Sequence, residues 1–311
     1  MLSQTHIHSF GSIEQLDEVT HSLGWQTEYR QLKPGAFSST FTTLEGAQWF
    51  LMEEHTCPSV EVQAPAPAGM YALALIEGGT AVLNGQRVSP DHLFVLGPDS
   101  ECRVTLPTGI MVSQMGIASE VFEDVHHSVA PELPISRLVA SSIANTPGRL
   151  ANLRETLRAA LYTPAHHEYF REEAVTSILT SLITVAADHG KLPFGRSLHR
   201  AAARKVLERS REYIEARLNR KIRVDSMCRY AGTNLRSLQR TFAREMGMTP
   251  QQYVKSRRLN AVRQSLLQSD REEGLSVTIV AMNHGFVHLG RFAADYRRLF
   301  GESPRTTLQK R

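Results

Sequence analysis

Residues 227–250 read MCRYAGTNLRSLQRTFAREMGMTP, and residues 281–304 repeat the pattern of this stretch. The matching positions are small residues, apolar residues, glycines and a final proline: Cys228, Gly232, Leu238, Phe242, Gly247 and Pro250 in the first copy, and Ala281, Gly285, Phe292, Tyr296, Gly301 and Pro304 in the second. The offset is 53 residues up to the internal glycine and 54 after it, so the second turn has one extra residue. A duplicated helix, tight turn and helix predicts two helix-turn-helix units.

The charge of the chain changes sign along its length. Residues 1–195 carry 10 Lys and Arg against 21 Asp and Glu, whereas residues 196–311 carry 25 against 10. Because neutralisation of phosphates dominates non-specific affinity for nucleic acid, the basic half predicts binding to nucleic acid. The alternative is a solvated basic surface.

Composition narrows the class of protein. With 311 residues, 41% of them hydrophobic, the chain is long enough for two domains with separate cores. It has neither an apolar run of about 20 residues nor an N-terminal secretory pattern, so we expect no membrane partner. Three scattered cysteines, Cys57, Cys102 and Cys228, favour the reducing cytoplasm.

The acidic half begins with a β-rich pattern. Short apolar runs at 71–77, 80–83, 92–96, 102–106 and 110–117 are separated by glycine and proline, and Asn84-Gly85 is typical of a two-residue hairpin. This pattern over about 37–117 predicts a β-sandwich or small barrel, with a short helix at 13–23 before it. Strand register is uncertain by one residue, so no cofactor or effector residues are assigned.

Helical periodicity follows over about 135–189. Two apolar stripes lie at helical spacing: Leu150, Leu153, Leu157 and Leu161, and then Val175, Ile178, Leu179, Leu182 and Ile183. They indicate core packing or a helix pair between two chains. Breakers at Gly190, Pro193 and Gly195 coincide with the change in charge. We therefore expect an N-terminal domain at 1–189, a linker at 190–199 and a DNA-binding domain at 200–311.

In the first repeat we predict helices at 224–231 and 234–245, with Asn234 as the N-cap. Leu235, Leu238 and Phe242 should face the core. The side chains suited to reading base edges are Arg236, Gln239 and Arg240, and Ser237 and Arg244 are assigned to phosphate. The alternative is that the arginines form a solvated helix face.

The second repeat carries fewer side chains of this kind. Helices are predicted at 277–284 and 287–300, with alanines at 293 and 294 where the first copy has Gln239 and Arg240. His288 and Arg291 are assigned to bases, and Arg297 and Arg298 to phosphate. Asp295 lies four residues after Arg291 and should pair with it. This unit should read shape more than base identity.

A single helix should join the repeats. Thr249-Pro250-Gln251-Gln252 fits a capping box with proline at the first helical position. The helix would run to about residue 267, a length of about 27 Å at about 1.5 Å per residue. Adjacent major-groove faces lie about 34 Å apart, so the two units could enter neighbouring grooves.

These motifs resemble the signature of the AraC/XylS transcription regulators. Cys228-(x3)-Gly232-(x5)-Leu238-x-Arg240-x-Phe242-(x4)-Gly247-x-Thr249-Pro250 is similar to its first half, and Ala281-(x3)-Gly285-Phe286-(x5)-Phe292-(x3)-Tyr296-(x4)-Gly301-x-Ser303-Pro304 to its second. Arg258-Leu259 also fits. The resemblance implies an α+β protein of two domains: an N-terminal cupin-like β-barrel or sandwich with a helical segment, which binds an effector and dimerises, and a seven-helix, all-α double helix-turn-helix domain. Val287, His288 and Gly290 depart from the family pattern at the start of the second recognition helix.

Enzyme motifs are absent from the sequence. The histidine clusters at 6–8, 126–127 and 166–167 lack the spacing of a metal site, and neither a nucleophile elbow nor a nucleotide fingerprint occurs. We therefore predict a cytoplasmic, homodimeric transcription regulator that binds promoter DNA, responds to a small-molecule effector, uses no cofactor or metal and, if it activates, contacts RNA polymerase. The alternatives are a cupin-type enzyme with a nucleic-acid-binding tether and a DNA-architectural protein without an effector.

Overall fold

Two antiparallel β-sheets form the N-terminal part of the molecule, as the β-sandwich prediction required. The structure is a computed structural model that describes residues 5–22, 25–90, 92–98, 100–139, 142–144, 148–162, 168–190, 198–268 and 276–310. The strands are β1 (His6–Phe10), β2 (Glu28–Gln31), β3 (Ser38–Glu45), β4 (Trp49–Cys57), β5 (Val60–Pro65), β6 (Met70–Glu77), β7 (Ala81–Leu83), β8 (Gln86–Val88), β9 (His92–Leu96), β10 (Glu101–Leu106), β11 (Ile110–Ala118) and β12 (Ser142–Ala144). One sheet has the order β1-β3-β4-β11-β6-β9-β12 and the other β2-β5-β10-β7-β8.

Alternating side chains give the larger sheet two apolar faces. Leu73 and Leu75 of β6 join a core with the helices, whereas Ala74 and Ile76 join a second core between the sheets. The predicted hairpin is confirmed, because Asn84 (φ 43°) and Gly85 (φ 74°) form the two-residue turn between β7 and β8.

Five helices accompany the sheets among the described residues. They are α1 (Ile13–Ser22), α2 (Ser119–Val129), α3 (Ile135–Val139), α4 (Arg149–Tyr162) and α5 (Glu168–Gly190). Both predicted leucine and isoleucine stripes are buried where α4 and α5 pack against the larger sheet, which favours the core interpretation. Helix α2 was not predicted, although its buried Phe122 stacks on Tyr71 of β6 with ring centroids 4.0 Å apart.

The C-terminal part is helical, and its described residues form seven helices. They are α6 (Leu198–Glu215), α7 (Val224–Ala231), α8 (Leu235–Met246), α9 (Pro250–Gln268), α10 (Val277–Asn283), α11 (Leu289–Phe300) and α12 (Pro304–Gln309). Helix α12 was missed by the sequence analysis; Pro304 opens it and the Ser303 hydroxyl caps the Thr306 amide. The predicted linker falls mainly on 191–197, which lie outside the described residues, while Gly190 ends α5 and Leu198 begins α6.

Helix α9 begins with the predicted capping box. The Thr249 amide donates to Gln252 Oε1 at 2.8 Å, and the Gln252 amide donates to Thr249 Oγ1 at 3.2 Å. The helix has 19 residues. At about 1.5 Å per residue it separates the two repeats by about 28 Å.

Within the described residues, no helix is long and apolar enough to cross a membrane. They also contain no group of three or more His, Cys, Asp or Glu side chains placed to hold a metal ion. The His166-His167 pair of the sequence lies outside the described residues.

A buried ion cluster joins the smaller sheet to the helical domain. Glu61 of β5 is fully buried; its Oε1 lies 2.9 Å from Arg211 Nη2, and its Oε2 lies 3.4 Å from Arg257 Nη1. The Tyr253 hydroxyl lies 3.0 Å from both carboxylate oxygens. Burial by itself would raise the pKa of Glu61, but Arg211 and Arg257 outweigh it and hold the pKa below its usual value. The two arginines therefore favour the charged form of Glu61.

Helix α9 also covers the edge of this sheet at β2. The Asn260 amide accepts from the Gln31 N–H at 3.0 Å and donates to the Gln31 carbonyl at 2.8 Å, so one side chain satisfies both backbone groups of an edge residue. Arg263 extends the contact by donating to both oxygens of Glu14 in α1.

We expect Glu61→Ala to lower the free energy of unfolding by about 3–5 kcal/mol, because Arg211 and Arg257 would lose their buried counter-charge. Chemical denaturation of the full chain measures the change. Glu208→Ala is the matched control, since Glu208 pairs with Arg204 at a half-exposed site; its cost should stay under about 1 kcal/mol. Equal, small effects of both variants would contradict a structural role for the cluster.

Candidate nucleic-acid interface

The first helix-turn-helix consists of α7 and α8. Glycines in the left-handed conformation end both helices, and an N-cap residue begins α8. Helix α7 ends at Gly232 (φ 66°, ψ 40°), and α8 ends at Gly247 (φ 62°, ψ 24°). Asn234 Oδ1 accepts the Ser237 N–H at 2.9 Å, which confirms the predicted N-cap and orients the start of α8. The start of the helix is thus set by local chemistry.

Helix α8 presents different chemistry on its two sides. Leu238 and Phe242 are fully buried in the helical core, as predicted. Arg236, Gln239 and Arg240 are all exposed. The structure therefore brings the three predicted base-reading side chains together on the solvent face of one helix.

The prediction that Leu235 faces the core was wrong. Its side chain is 49% exposed at the first position of α8. In the first turn the residues are exposed or half-buried, and burial begins at Leu238. The buried stripe therefore starts one turn later than the spacing indicated, because Leu235 is the first residue of α8 and burial begins at Leu238.

The two predicted phosphate residues of α8 are already engaged within the protein. The half-exposed side chain of Arg244 pairs with the Glu245 carboxylate, and its carbonyl accepts from Arg87 Nη1 at 2.8 Å. Arg87 belongs to β8, so the end of α8 is attached to the N-terminal sheets. Ser237 is half-buried, and its amide is the one capped by Asn234.

The two helices of the second helix-turn-helix begin differently from those of the first. Ser276 Oγ caps the Thr278 amide at the beginning of α10. Helix α11 begins at Leu289, two residues later than predicted, because Val287 precedes the N-cap and His288 has non-helical angles (φ −109°, ψ 89°). The His288 side chain caps no amide among the described residues. Val287 is 81% exposed, a feature that the sequence analysis did not single out.

Gly285 in the second turn cannot be replaced without strain. Its φ is +78°, and a Cβ atom would lie 3.0 Å from Arg258 Cζ. Arg258 itself donates to the carbonyls of Leu218 and Arg220. Arg258 of α9 therefore occupies the space next to Gly285 in the second turn. It also hydrogen-bonds to the segment that precedes the first repeat.

The exposed face of α11 is small and basic. Arg291, Arg297 and Arg298 are exposed, and so are the alanines at 293 and 294. Lys255 Nζ pairs with Asp295 Oδ1 at 2.9 Å, whereas Arg291 Nε lies 4.0 Å from Asp295 Oδ2. The predicted Arg291–Asp295 pair is thus at the limit of a contact, and the main partner of Asp295 comes from α9.

Replacement of the cap tests this local architecture. Asn234→Ala should lower the free energy of unfolding by about 1 kcal/mol, because the Ser237 amide loses its acceptor. Asn234→Asp is the control, since it retains an acceptor and should leave the free energy of unfolding close to that of the wild type. Thermal or chemical denaturation measures both; equal losses would show that the side-chain acceptor does not stabilise α8.

Residues 227–310 match the family model described as Helix-turn-helix domain. A XylDLEGF operon transcriptional activator of Pseudomonas putida is 38% identical over 103 residues, which is 33% of this chain and 32% of that protein. The chain therefore matches about a third of the length of that relative.

One relative matches over most of the chain. The XylDLEGF operon transcriptional activator 3 of Pseudomonas putida is 39% identical over 266 residues, covering 81% of this chain and 76% of that protein. The crystal structure of a probable AraC family transcriptional regulator from Rhodopseudomonas palustris CGA009 is 35% identical and covers 34% of this chain and 95% of that chain, with a TM-score of 0.32. Given the identity and coverage of activator 3, the chain belongs to the AraC/XylS family of transcriptional regulators.

Proposed function

We propose that this chain is a sequence-specific DNA-binding transcription regulator of the cytoplasm rather than an enzyme, with an effector domain at 1–189 and a DNA-binding domain at 200–311. One observation carries the proposal: α8 exposes Arg236, Gln239 and Arg240, while Leu238 and Phe242 on its other side are fully buried. An exposed Arg and Gln row on the second helix of a helix-turn-helix suits entry into the major groove.

In the first unit, Arg236, Gln239 and Arg240 read base edges, because arginine and glutamine make paired hydrogen bonds to guanine and adenine. Ser237 and Arg244 contact phosphate. Arg244 must then exchange its pair with Glu245 for a phosphate, which its half-exposed position allows.

In the second unit, His288 and Arg291 face bases, and Arg297 and Arg298 face phosphate. The alanines at 293 and 294 remove the long side chains that the first unit uses for hydrogen bonding. The second unit therefore reads mainly groove shape and position.

The N-terminal domain holds an effector in the core between its sheets. A cavity of about 330 Å³ lies there, which is within the size of small-molecule sites. Val62 and Ala64 of β5 line it, whereas Glu61, the residue before Val62, points to Arg211 and Arg257. Successive side chains of a strand point to opposite faces, so β5 separates the effector from the DNA-binding domain by one layer of backbone.

This placement supports a coupling between the two sites. An effector that displaces β5 also displaces Glu61, and it thereby shifts the DNA-binding domain between docked and released arrangements. A homodimer would pair two half-sites on promoter DNA, and an activator would also contact RNA polymerase.

Arg240→Ala tests the base assignment. Specific binding should weaken by about 1–3 kcal/mol, and sequence discrimination should relax at one base pair, because a bidentate contact is lost. Arg244→Ala is the comparison, since loss of a phosphate contact weakens all sequences equally and lowers the salt dependence of binding. Titrations against a set of operator variants measure both.

Three outcomes of these titrations would contradict the proposal or one of its residue assignments. Failure of the wild-type chain to bind promoter DNA at low salt would exclude a regulator of this type. A uniform loss across all sequences in Arg240→Ala would make Arg240 a phosphate contact, and an absence of sequence preference in the wild type would favour an architectural protein.

Glu61→Gln tests the coupling. The variant keeps the shape of the side chain but removes its charge, so the docked arrangement weakens and DNA affinity in the absence of effector should change. Operator titration at matched salt measures the change, with Glu208→Gln as the exposed control. The coupling is contradicted by an affinity for Glu61→Gln that equals the wild-type value while the variant remains folded.

A further inference from the structure

The cavity between the sheets is apolar over most of its wall. Its lining comes from both sheets and includes Met52, Val62, Ile76, Leu83, Phe94 and Val104. Among its described lining residues there is no Lys, Arg or His. A ligand here is therefore held mainly by burial of apolar surface, and the described lining residues offer no positive side chain to balance a negative ligand group.

Aromatic side chains form one part of the wall. Trp25, Tyr29 and Phe50 line the cavity, and the rings of Trp25 and Phe50 lie 5.0 Å apart between centroids. Phe41 supports Trp25 from the side, with centroids 5.5 Å apart and planes at 73°. Aromatic rings offer apolar contact area and a negative face that attracts cations.

One acidic group lies in the same wall. Glu54 of β4 is 5% exposed and lines the cavity. The Thr56 hydroxyl donates to its Oε1 at 2.7 Å, and the Tyr29 hydroxyl donates to its Oε2 at 3.2 Å. Burial raises the pKa of Glu54 above its usual value, and these two hydrogen bonds offset that rise only in part. A carboxylate has about four acceptor sites, so Glu54 can accept further hydrogen bonds from a ligand.

We propose that this cavity binds a compact aromatic primary amine, with the ammonium group on Glu54 and the ring against Trp25 and Phe50. The inference rests on the proposed function, in which this domain holds an effector. It names the chemical class of that effector.

Charge selects the amine over the acid. A ligand carboxylate in this cavity would be a buried negative charge beside Glu54 with no Lys, Arg or His among the described lining residues to pair with it, and an unpaired buried charge is costly. An ammonium group instead supplies the missing counter-charge and donates hydrogen bonds. A neutral alcohol can donate a hydrogen bond but brings no charge, so it should rank between the two.

The test uses the full-length wild-type chain and three ligands of one shape: benzylamine, benzyl alcohol and benzoate. Isothermal titration calorimetry at neutral pH ranks them. Benzylamine should bind at least about tenfold more tightly than benzyl alcohol, since hydrogen bonds to charged groups are the stronger ones, and benzoate should bind weakest. Equal affinities, a preference for benzoate, or no binding of benzylamine at millimolar concentration would overturn the proposal.

Glu54→Gln localises the selectivity. The variant should lose about tenfold or more in benzylamine affinity, the loss expected when a charged hydrogen bond is removed, and should bind benzyl alcohol as the wild type does. Glu53→Gln is the matched control on the same strand, because Glu53 faces Arg158 and Ser113 instead of the cavity. If Glu54→Gln does not fold, the ranking of the three ligands by the wild type still decides.

Operator binding is titrated in parallel without ligand. If the chain binds its operator but shows no preference for the amine, the ligand class is wrong and the regulator function stands. If the amine preference is present but no DNA is bound, the proposed function is wrong and the cavity assignment stands. The two failures are therefore distinguishable.

Discussion

The buried carboxylate of Glu61 is the contact on which the arrangement of the two halves depends. A charge without exposure to water needs partners, and here they come from three residues of the helical domain: Arg211, Tyr253 and Arg257. Arg257 is shared, because its guanidinium also makes two hydrogen bonds to Glu215 of α6 at 2.7 and 2.6 Å. Thr105 of β10 lies opposite Glu61 in the sheet, and its hydroxyl oxygen accepts a hydrogen bond from Arg211 Nη2 at 3.0 Å. Two neighbouring strands therefore meet the helical domain through one buried polar cluster.

Helix α9 connects that cluster to both helix-turn-helix units, so it limits how the two units can be placed on DNA. Arg257 and Arg263 face the N-terminal domain, Arg258 fills the space below Gly285, and Lys255 holds Asp295 of the second unit. Each of these contacts comes from one rigid rod of 19 residues. The spacing and tilt of the two units are consequently tied to the docking of the domains, and part of the positive charge of the C-terminal half is structural.

The sequence predicted the helical half well because its signals are local. Left-handed glycines, N-caps and a capping box act within a few residues, and they appear where the motif required them at Gly232, Asn234 and Thr249. The errors arose where neighbours decide the outcome. Leu235 has the correct spacing for the core but is exposed at the first position of α8, and Asp295 pairs with Lys255 from another helix rather than with its own i, i+4 partner.

In the N-terminal half the sequence determined the class of structure, since alternating strands, an Asn-Gly turn and apolar stripes are properties of short segments. Only the tertiary structure decided which residues share a site. Register is set by pairing between distant strands, and it alone places Glu54 at the cavity and Glu61 at the domain contact. Residues 54, 61 and 257 have no local relation in the chain; burial against distant partners gives each its role, and that information lies in packing rather than in any single stretch of sequence.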